Sequence, residues 1–394
     1  MKKLLIILDL SNKSLEFYKN TITDFSKELG KIDLIDVSKI LKKKSIYSDF
    51  INNNNFNLIQ PKNYTELIKI FKTKDIVLMY AIQNGFSYFL INFYLSKNKV
   101  CKFFVSNLGY NPENFNYYKK NFFNKINIFL KLRLKYYFFR ILVLFGIFPK
   151  IDFFFESSNN IYKSIKNGFS YKLNTLIPFI NISYYKKIIK INSRYFDSIF
   201  YSRHKISDEF IVFLDNMPFD HKDRILRDGV ATEDVRKKYY DDLYKILKDL
   251  EIKFNKKIIV CLHPKNNISI IRKDYKDFTC VKFETEKYVS QGLIIIYHEG
   301  SSILQGFVQK KKIINIHGKI LGNYINKRCD LYANPLKLLR IDLDNIKIKN
   351  KEQLLIRMNE AINRYEKFNY ENLINNSNKS GISEIIEYLD IKTK

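Results

Sequence analysis

Short, continuous apolar runs recur along the chain, and longer mixed segments separate them. The runs lie at residues 4–8, 76–80, 103–105, 153–155, 211–214, 258–262, 293–297 and 312–316. Strands that are buried on both faces give such runs, and helices between them produce a parallel sheet that is covered on both sides. The pattern therefore predicts an α/β fold with one parallel sheet in each half of the chain.

An amphipathic helix is predicted between the runs at 211–214 and 258–262. Its apolar positions recur every three or four residues at Val235, Tyr239, Leu243, Ile246, Leu247 and Leu250. Glu233 and Asp234 stand in the first turn, where the helix dipole favours acidic side chains. The segment is thus a β-α-β unit, and a second amphipathic helix is predicted at 352–366.

The chain length of 394 residues exceeds what one hydrophobic core usually supports. We predict a Rossmann-like domain at 1–195, a second one at 205–350, and a helical tail at 351–394. The polar stretch 192–208 is the predicted hinge. In this architecture the parallel sheets of the two domains face one another across a cleft.

The composition excludes a disordered chain, because 46% of the residues are hydrophobic and 15% are aromatic. The formal net charge of +28 favours a phosphorylated substrate, an anionic lipid surface or nucleic acid as partner. No nucleic-acid-binding motif accompanies the charge, and the basic residues interleave with Ile and Leu. We therefore expect no nucleic-acid partner, although a basic nucleic-acid-binding protein is the alternative from another functional class.

The segment 114–151 carries eight Lys or Arg residues and no acid among many Phe, Leu, Ile and Tyr residues. It is either a core helix pair with a basic solvated face or an interfacial helix that meets anionic lipid through its basic side chains. The four scattered cysteines form no C-x-x-C pair, and no apolar stretch is long enough to span a membrane. We expect a cytoplasmic protein, peripheral on the inner membrane.

Polar residues cluster after the predicted strands of the second domain. They are Asp215 and Asn216 after the first strand, His263 and Lys265 after the second, and His298, Glu299, Gly300, Ser301 and Ser302 after the third. Ligands of open α/β sheets bind beyond the carboxyl ends of the strands. We therefore predict that these residues form a nucleotide site.

Several of these side chains suit a phosphate. Ser301 and Ser302 stand where a helix start offers free backbone NH groups, and Gly300 allows a close approach. His263 can protonate a leaving phosphate, and Lys265 adds positive charge. The structural alternative for the two serines is a simple helix cap.

Asp215 is a candidate general base, and its alternatives are an N-cap or a ribose contact. No G-x-S-x-G, G-x-x-x-x-G-K or G-x-G-x-x-G motif is present. The D-x-D pair of the second domain, Asp342 and Asp344, lies well past the proposed site. We therefore expect catalysis without a metal ion or other cofactor.

The order F-L-D-N-x-P, H-P-K and H-E-G-S-S over residues 205–320 resembles bacterial GT-B glycosyltransferases of lipopolysaccharide and capsule synthesis. The H-P and S-S pair is similar to that of bacterial sialyltransferases. That resemblance implies that His263 assists the departing cytidine monophosphate and that Ser301 and Ser302 hold its phosphate. It also implies a catalytic carboxylate in the first domain, for which Glu156 is the candidate and Asp215 the competitor.

The implied function is transfer of a sugar, such as a sialic-acid-like nonulosonate, from a CMP-linked donor. The acceptor would be a lipid-linked or surface glycan of lipopolysaccharide or capsule. One alternative is a CDP-polyol phosphotransferase of teichoic-acid type, since H-P and S-S recur there. Another is a non-catalytic polysaccharide-assembly protein.

Overall fold

The computed structural model describes residues 3–9, 15–43, 56–71, 76–81, 91, 101–106, 145, 151–157, 185–201, 204–220, 224–225, 228–263, 274–275, 277–374 and 377–391. They divide into two compact units. Unit 1 comprises the described residues up to Arg194 together with those from Ser377 onward. Unit 2 is the span Tyr195–Ile374.

Within the described residues, unit 1 contains a parallel sheet of seven strands. They are β1 (Lys3–Leu8), β2 (Ile32–Asp36), β3 (Phe56–Ile59), β4 (Ile76–Ala81), β5 (Cys101–Ser106), β6 (Ile151–Glu156) and β7 (Tyr185–Lys190), in the order β3-β2-β1-β4-β5-β6-β7. Helices α1 (Leu15–Leu29) and α2 (Tyr64–Ile70) connect strands of this sheet.

Unit 2 contains a second parallel sheet, of six described strands. They are β8 (Phe210–Leu214), β9 (Ile258–Leu262), β10 (Thr279–Lys282), β11 (Gly292–Tyr297), β12 (Lys312–His317) and β13 (Leu339–Asp342), in the order β10-β9-β8-β11-β12-β13. The helices are α3 (Arg194–Phe200), α4 (Glu233–Phe254), α5 (Thr285–Gln291), α6 (Ile303–Val308), α7 (Gly322–Leu336), α8 (Lys351–Ile362) and α9 (Tyr365–Asn372). The first residue of α3 belongs to unit 1.

The central strands bury both faces, which explains their continuous apolar runs. In β8, Ile211 and Phe213 pack in one cluster with the apolar face of α4, whereas Val212 and Leu214 pack in another with residues of α6. Leu5 and Ile7 of β1 likewise lie on the face opposite to Leu4, Ile6 and Leu8. A strand that is covered on both sides has no polar face to show in its sequence.

These observations confirm the predicted fold class of two Rossmann-like α/β units with parallel sheets. The predicted β-α-β unit is also confirmed, because α4 connects β8 to β9 and these two strands pair in parallel. Thr232 caps the first turn of α4 by accepting from the Val235 amide. The basic segment 114–151 lies outside the described residues except for Phe145 and Ile151. No helix of the described part of the chain is long and apolar enough to cross a membrane.

The predicted tail 351–394 is divided between the two units. Helices α8 and α9 pack in unit 2, where Leu354, Met358 and Phe368 join its core clusters. The last helix, α10 (Gly381–Leu389), belongs to unit 1 and packs on the same face of the sheet as α1. The chain thus returns to the unit in which it begins.

Helix α10 is held closely against the backbone that follows β7. The Asn192 side-chain amide donates to the carbonyl oxygens of Lys379 and Ser377 at 2.7 and 3.1 Å, and the Asn192 backbone NH donates to Glu384 at 2.8 Å. A β-carbon added at Gly381 would lie 2.3 Å from the carbonyl oxygen of Asn192. Because that contact is with backbone, only glycine fits at the first residue of the helix.

Gly381→Ala is expected to destabilise unit 1 by about 1–3 kcal/mol, since the methyl group must push α10 away from the sheet. The midpoint of urea unfolding measures the loss. Gly306→Ala is the matched control, because the added methyl there would meet the end of the Ile313 side chain at 3.3 Å. A Gly381→Ala protein as stable as the Gly306→Ala protein would contradict this packing.

Candidate functional site

The sheet of unit 2 has a topological switch point between β8 and β11. From β8 the chain proceeds outward to β9 and β10 on one side, and then returns to build β11, β12 and β13 on the other. Leu214 at the end of β8 pairs with Tyr297 at the end of β11. In open parallel sheets the crevice at such a point is where ligands bind.

The sequence-predicted residues of unit 2 gather at this edge. Asp215 and Asn216 follow β8, and His263 follows the adjacent strand β9. The ends of the two strands lie side by side, since the Asp215 amide donates to the carbonyl oxygen of Cys261 at 3.0 Å. Residues 298–302 follow β11. Lys265 lies outside the described residues, and Glu156 is in unit 1.

His298 is fully buried, and both of its ring nitrogens bond within the protein. Its Nδ1 lies 2.9 Å from the carbonyl oxygen of Ile316, which can only accept, so Nδ1 carries the proton. The Tyr239 hydroxyl therefore donates to Nε2 at 2.6 Å. Burial lowers the pKa of His298 to about 4. The ring is thus neutral near pH 7 and fixes the turn that follows β11 from inside the core.

Glu299 is buried and forms an ion pair with Arg328 of α7. Arg328 also donates to the Tyr324 hydroxyl at 3.1 Å. The charge of this carboxylate is therefore balanced within unit 2, so it adds little repulsion toward an anion at the neighbouring turn.

The turn at Gly300, Ser301 and Ser302 is open. Gly300 has a φ of +121°, a conformation that favours glycine, and apart from Gly300 and its two chain neighbours no heavy atom of the described chain lies within 4 Å of the position of an added β-carbon. Ser301 is exposed, and in the described chain the Ser302 side chain makes no capping hydrogen bond to α6. The simple capping role is therefore absent for Ser302, and both hydroxyls can serve a ligand.

Helix α6 has six residues and begins at Ile303. The macrodipole comes from peptide units aligned along the axis, so a helix this short supplies a weaker positive end than the sequence suggests. The two hydroxyls and the backbone of the glycine turn must therefore supply most of the attraction for an anion.

The helix start that follows β12 is already occupied. The Asp228 carboxylate accepts from the Tyr324 amide at 2.9 Å, in the first turn of α7, and lies against Gly322. This carboxylate stands where an anionic ligand would bind. Of the helix starts that follow β11 and β12, the one at Ser301 and Ser302 is open.

Asp215 is buried on the side of the sheet that α4 covers. Its Oδ1 accepts from the Met217 amide at 3.0 Å, which closes a short turn in which Met217 has a φ of 56°. Burial and the nearby Asp215 carboxylate raise the pKa values of Tyr240 and Tyr275. Asp215 thus closes the turn and faces buried tyrosines. It is therefore a weaker candidate for the general base than its position in the sequence suggests.

Sequence reasoning did not identify Arg236, which links two loops of this edge. Its guanidinium donates to both carboxylate oxygens of Asp220 at 2.9 and 3.0 Å, and to Asp274 at 3.4 Å. Asp220 follows β8 and Asp274 precedes β10. An arginine in the first turn of a helix, where the dipole disfavours cations, is the signal in the sequence.

Glu156 is the last residue of β6 and is fully buried. The switch point of the unit 1 sheet is instead between β1 and β4. Asp9 directly follows β1, is buried, and is ion-paired with Lys43 at 3.2 Å. Asp9 is thus a second carboxylate of unit 1 with a position suited to ligands, and its place after the first apolar run is its signal in the sequence.

His317 ends β12, and burial lowers its pKa. Within the described residues, no group of three or more His, Cys, Asp or Glu side chains is arranged to hold a metal ion.

No protein-family model and no curated protein matches the chain. Among solved structures, S. aureus MnaA with UDP has a TM-score of 0.50 at 11% identity and covers 100% of this chain and 98% of its own. A UDP-N-acetylglucosamine 2-epimerase structure from Listeria monocytogenes has a TM-score of 0.51 at 8% identity, with 99% and 96% covered. The calicheamicin glycosyltransferase CalG4 has a TM-score of 0.45 at 5% identity, with 99% and 98% covered. The first two show the fold, which is of GT-B type.

Proposed function

We propose that the chain binds a nucleotide-sugar at the switch point of unit 2 and transfers the sugar to a glycan acceptor. The observation that carries the proposal is the open turn at Gly300, Ser301 and Ser302, next to the end of β8. A turn with two hydroxyls and an accessible backbone suits a phosphate group. The GT-B-type fold supports the proposal, since S. aureus MnaA has this fold and its structure contains UDP.

The proposed roles follow from chemistry at one bond. The acceptor hydroxyl oxygen forms a bond to the anomeric carbon, the bond between that carbon and the phosphate oxygen breaks, and the electron pair leaves with the nucleotide. Ser301 and Ser302 donate hydrogen bonds to the phosphate, and Lys265 balances its charge. His263 protonates the departing phosphate.

A base must take the proton of the acceptor hydroxyl, and three carboxylates are proposed for this role. They are Glu156, Asp215 and Asp9. Replacing the true base by its amide should abolish turnover and leave nucleotide affinity intact, because the base acts on the acceptor. Glu156→Gln, Asp215→Asn and Asp9→Asn therefore form the set to compare.

Two donor nucleotides are candidates for this site. The H-P and S-S resemblance favours cytidine monophosphate, whereas the UDP in S. aureus MnaA favours uridine diphosphate. Calorimetric titration with CMP, CDP, UDP and GDP should give one clear preference with a dissociation constant at or below the millimolar range. A protein that binds none of the four contradicts the proposed function.

Product analysis with the matching nucleotide-sugar separates transfer from rearrangement. Transfer releases free nucleotide and joins the sugar to the acceptor, whereas a 2-epimerase, the activity named for the Listeria monocytogenes protein, inverts the configuration at C2 of the sugar and needs no acceptor. Nucleotide release that requires an added glycan acceptor supports transfer. An epimerised sugar without dependence on an acceptor would replace it by the epimerase function.

A further inference from the structure

Asn216 is the one described side chain in which two buried polar atoms both have no hydrogen-bond partner. Only 8% of the residue is exposed, and neither Nδ2 nor Oδ1 bonds to any part of the described chain. A buried primary amide without partners destabilises the folded state, so natural proteins rarely keep one without a reason. Such a group at a ligand-binding edge points to a ligand that supplies the missing partners.

The position of Asn216 supports this reading. It directly follows Asp215 at the end of β8, beside the switch point, and the turn closed by Asp215 and Met217 fixes its backbone. In β8, Val212 and Leu214 pack in the cluster that contains Ile303 of α6. The alternation of the strand, continued beyond Leu214, places Asn216 on the side of the sheet that carries Ser301 and Ser302.

The neighbouring polar groups of this edge already have partners. Asp215 accepts from Met217, His298 bonds to Tyr239 and Ile316, and Glu299 pairs with Arg328. Asn216 therefore remains as the amide in which, within the described chain, neither the donor nor the acceptor is used. One side of an amide donates and the other accepts, so its ligand must offer an acceptor next to a donor.

We propose that Asn216 recognises the sugar-phosphate part of the nucleotide-sugar, an inference that rests on the proposed function. Its Nδ2 donates to a phosphate oxygen, and its Oδ1 accepts a hydroxyl of the sugar attached to that phosphate. The side chain rotates into the crevice on binding, because both atoms are covered in the free protein. An amide that is unpaired in the free state and paired in the complex adds to the affinity, because the new hydrogen bonds remove the penalty of its unsatisfied burial.

Asn216→Leu tests this inference through two opposite effects. Leucine has nearly the same shape without polar atoms, so the melting temperature should rise by about 2–4 °C. Affinity for the nucleotide-sugar should fall about 10- to 100-fold, since a hydrogen bond to a charged group is lost. A purely structural asparagine would give a lower melting temperature. Asn363→Leu, at an exposed asparagine that ends α8, is the control and should change neither quantity.

Asn216→Asp is the second variant and tests the contact with the phosphate independently of Asn216→Leu. Its negative charge repels the phosphate, so affinity should again fall at least tenfold. Wild-type affinity in the variant that folds, or a lowered melting temperature for Asn216→Leu, overturns the inference. If the wild-type protein binds no nucleotide-sugar, the proposed function fails and the inference falls with it. If the wild type binds and the variants bind equally well, the inference fails alone.

Discussion

The double variant Ser301→Ala, Ser302→Ala is expected to bind its nucleotide about 100-fold more weakly than the wild type. Each hydroxyl that donates to a charged phosphate contributes about 1.5–3 kcal/mol, so losing both costs at least about 3 kcal/mol, which corresponds to about 100-fold or more in affinity. Titration calorimetry measures the change. Little stability should be lost, because Ser301 is exposed and, among the described residues, Ser302 makes no capping bond to α6.

Ser207→Ala is the matched control for the serine pair. Ser207 is a partly exposed serine that precedes β8, at the opposite end of the strand from the proposed site, and its hydroxyl donates to Glu209. Its replacement should leave nucleotide affinity unchanged. Equal affinities for the wild type and the double variant would show that the two serines after β11 do not bind the phosphate.

Acidification from about pH 6.5 to pH 4 is expected to lower the free energy of unfolding through His298 by about 3 kcal/mol. Burial lowers the pKa of the folded-state imidazole to about 4, while the unfolded chain binds the proton near pH 6.5. Above pH 6.5 the ring is neutral in both states. Between the two values only the unfolded chain takes up the proton, so the stability present at neutral pH is lost as the pH falls.

The pH dependence of urea unfolding, compared between the wild type and His298→Asn, isolates this contribution. Asparagine keeps a donor for the carbonyl oxygen of Ile316 but has no proton to gain, so its curve should be flatter between pH 6.5 and 4. His317, whose pKa burial also lowers, contributes a share that remains in the variant. His204→Asn, at a partly exposed histidine, is the control. Parallel curves for the wild type and His298→Asn would contradict the buried neutral imidazole.

The sequence predicted the central strands and failed at the peripheral ones. Strands β1, β4, β5, β6, β8, β9, β11 and β12 were predicted, because each contains a short continuous apolar run. Strand β2 was not predicted, since its sequence I-D-L-I-D contains two aspartates. Both aspartates are buried and accept hydrogen bonds there: Asp36 accepts from Ser38 and Gln60, and Asp33 accepts from Asn57. At the outer edges β3, β10 and β13 are only four residues long, too short to give a clear pattern.

The candidate site was predictable in its place but not in its contacts. Strand ends followed by polar residues located Asp215, Asn216, His263 and the turn after β11 at one edge. The same reasoning could not reveal that His298 is turned into the core, because Tyr239, its partner, is 59 positions away in the chain. It also could not reveal that Asp228 occupies the start of α7, since that contact joins residues 96 positions apart. Contacts between distant positions leave no local pattern.

A crystal structure of the protein with its best-binding nucleotide tests the central claim most directly. We predict that the phosphate oxygens lie within hydrogen-bonding distance of the Ser301 and Ser302 hydroxyls, about 2.5–3.0 Å, at the carboxyl ends of β8 and β11. A phosphate bound at the start of α7 in place of Asp228, or anywhere in unit 1, would contradict the account.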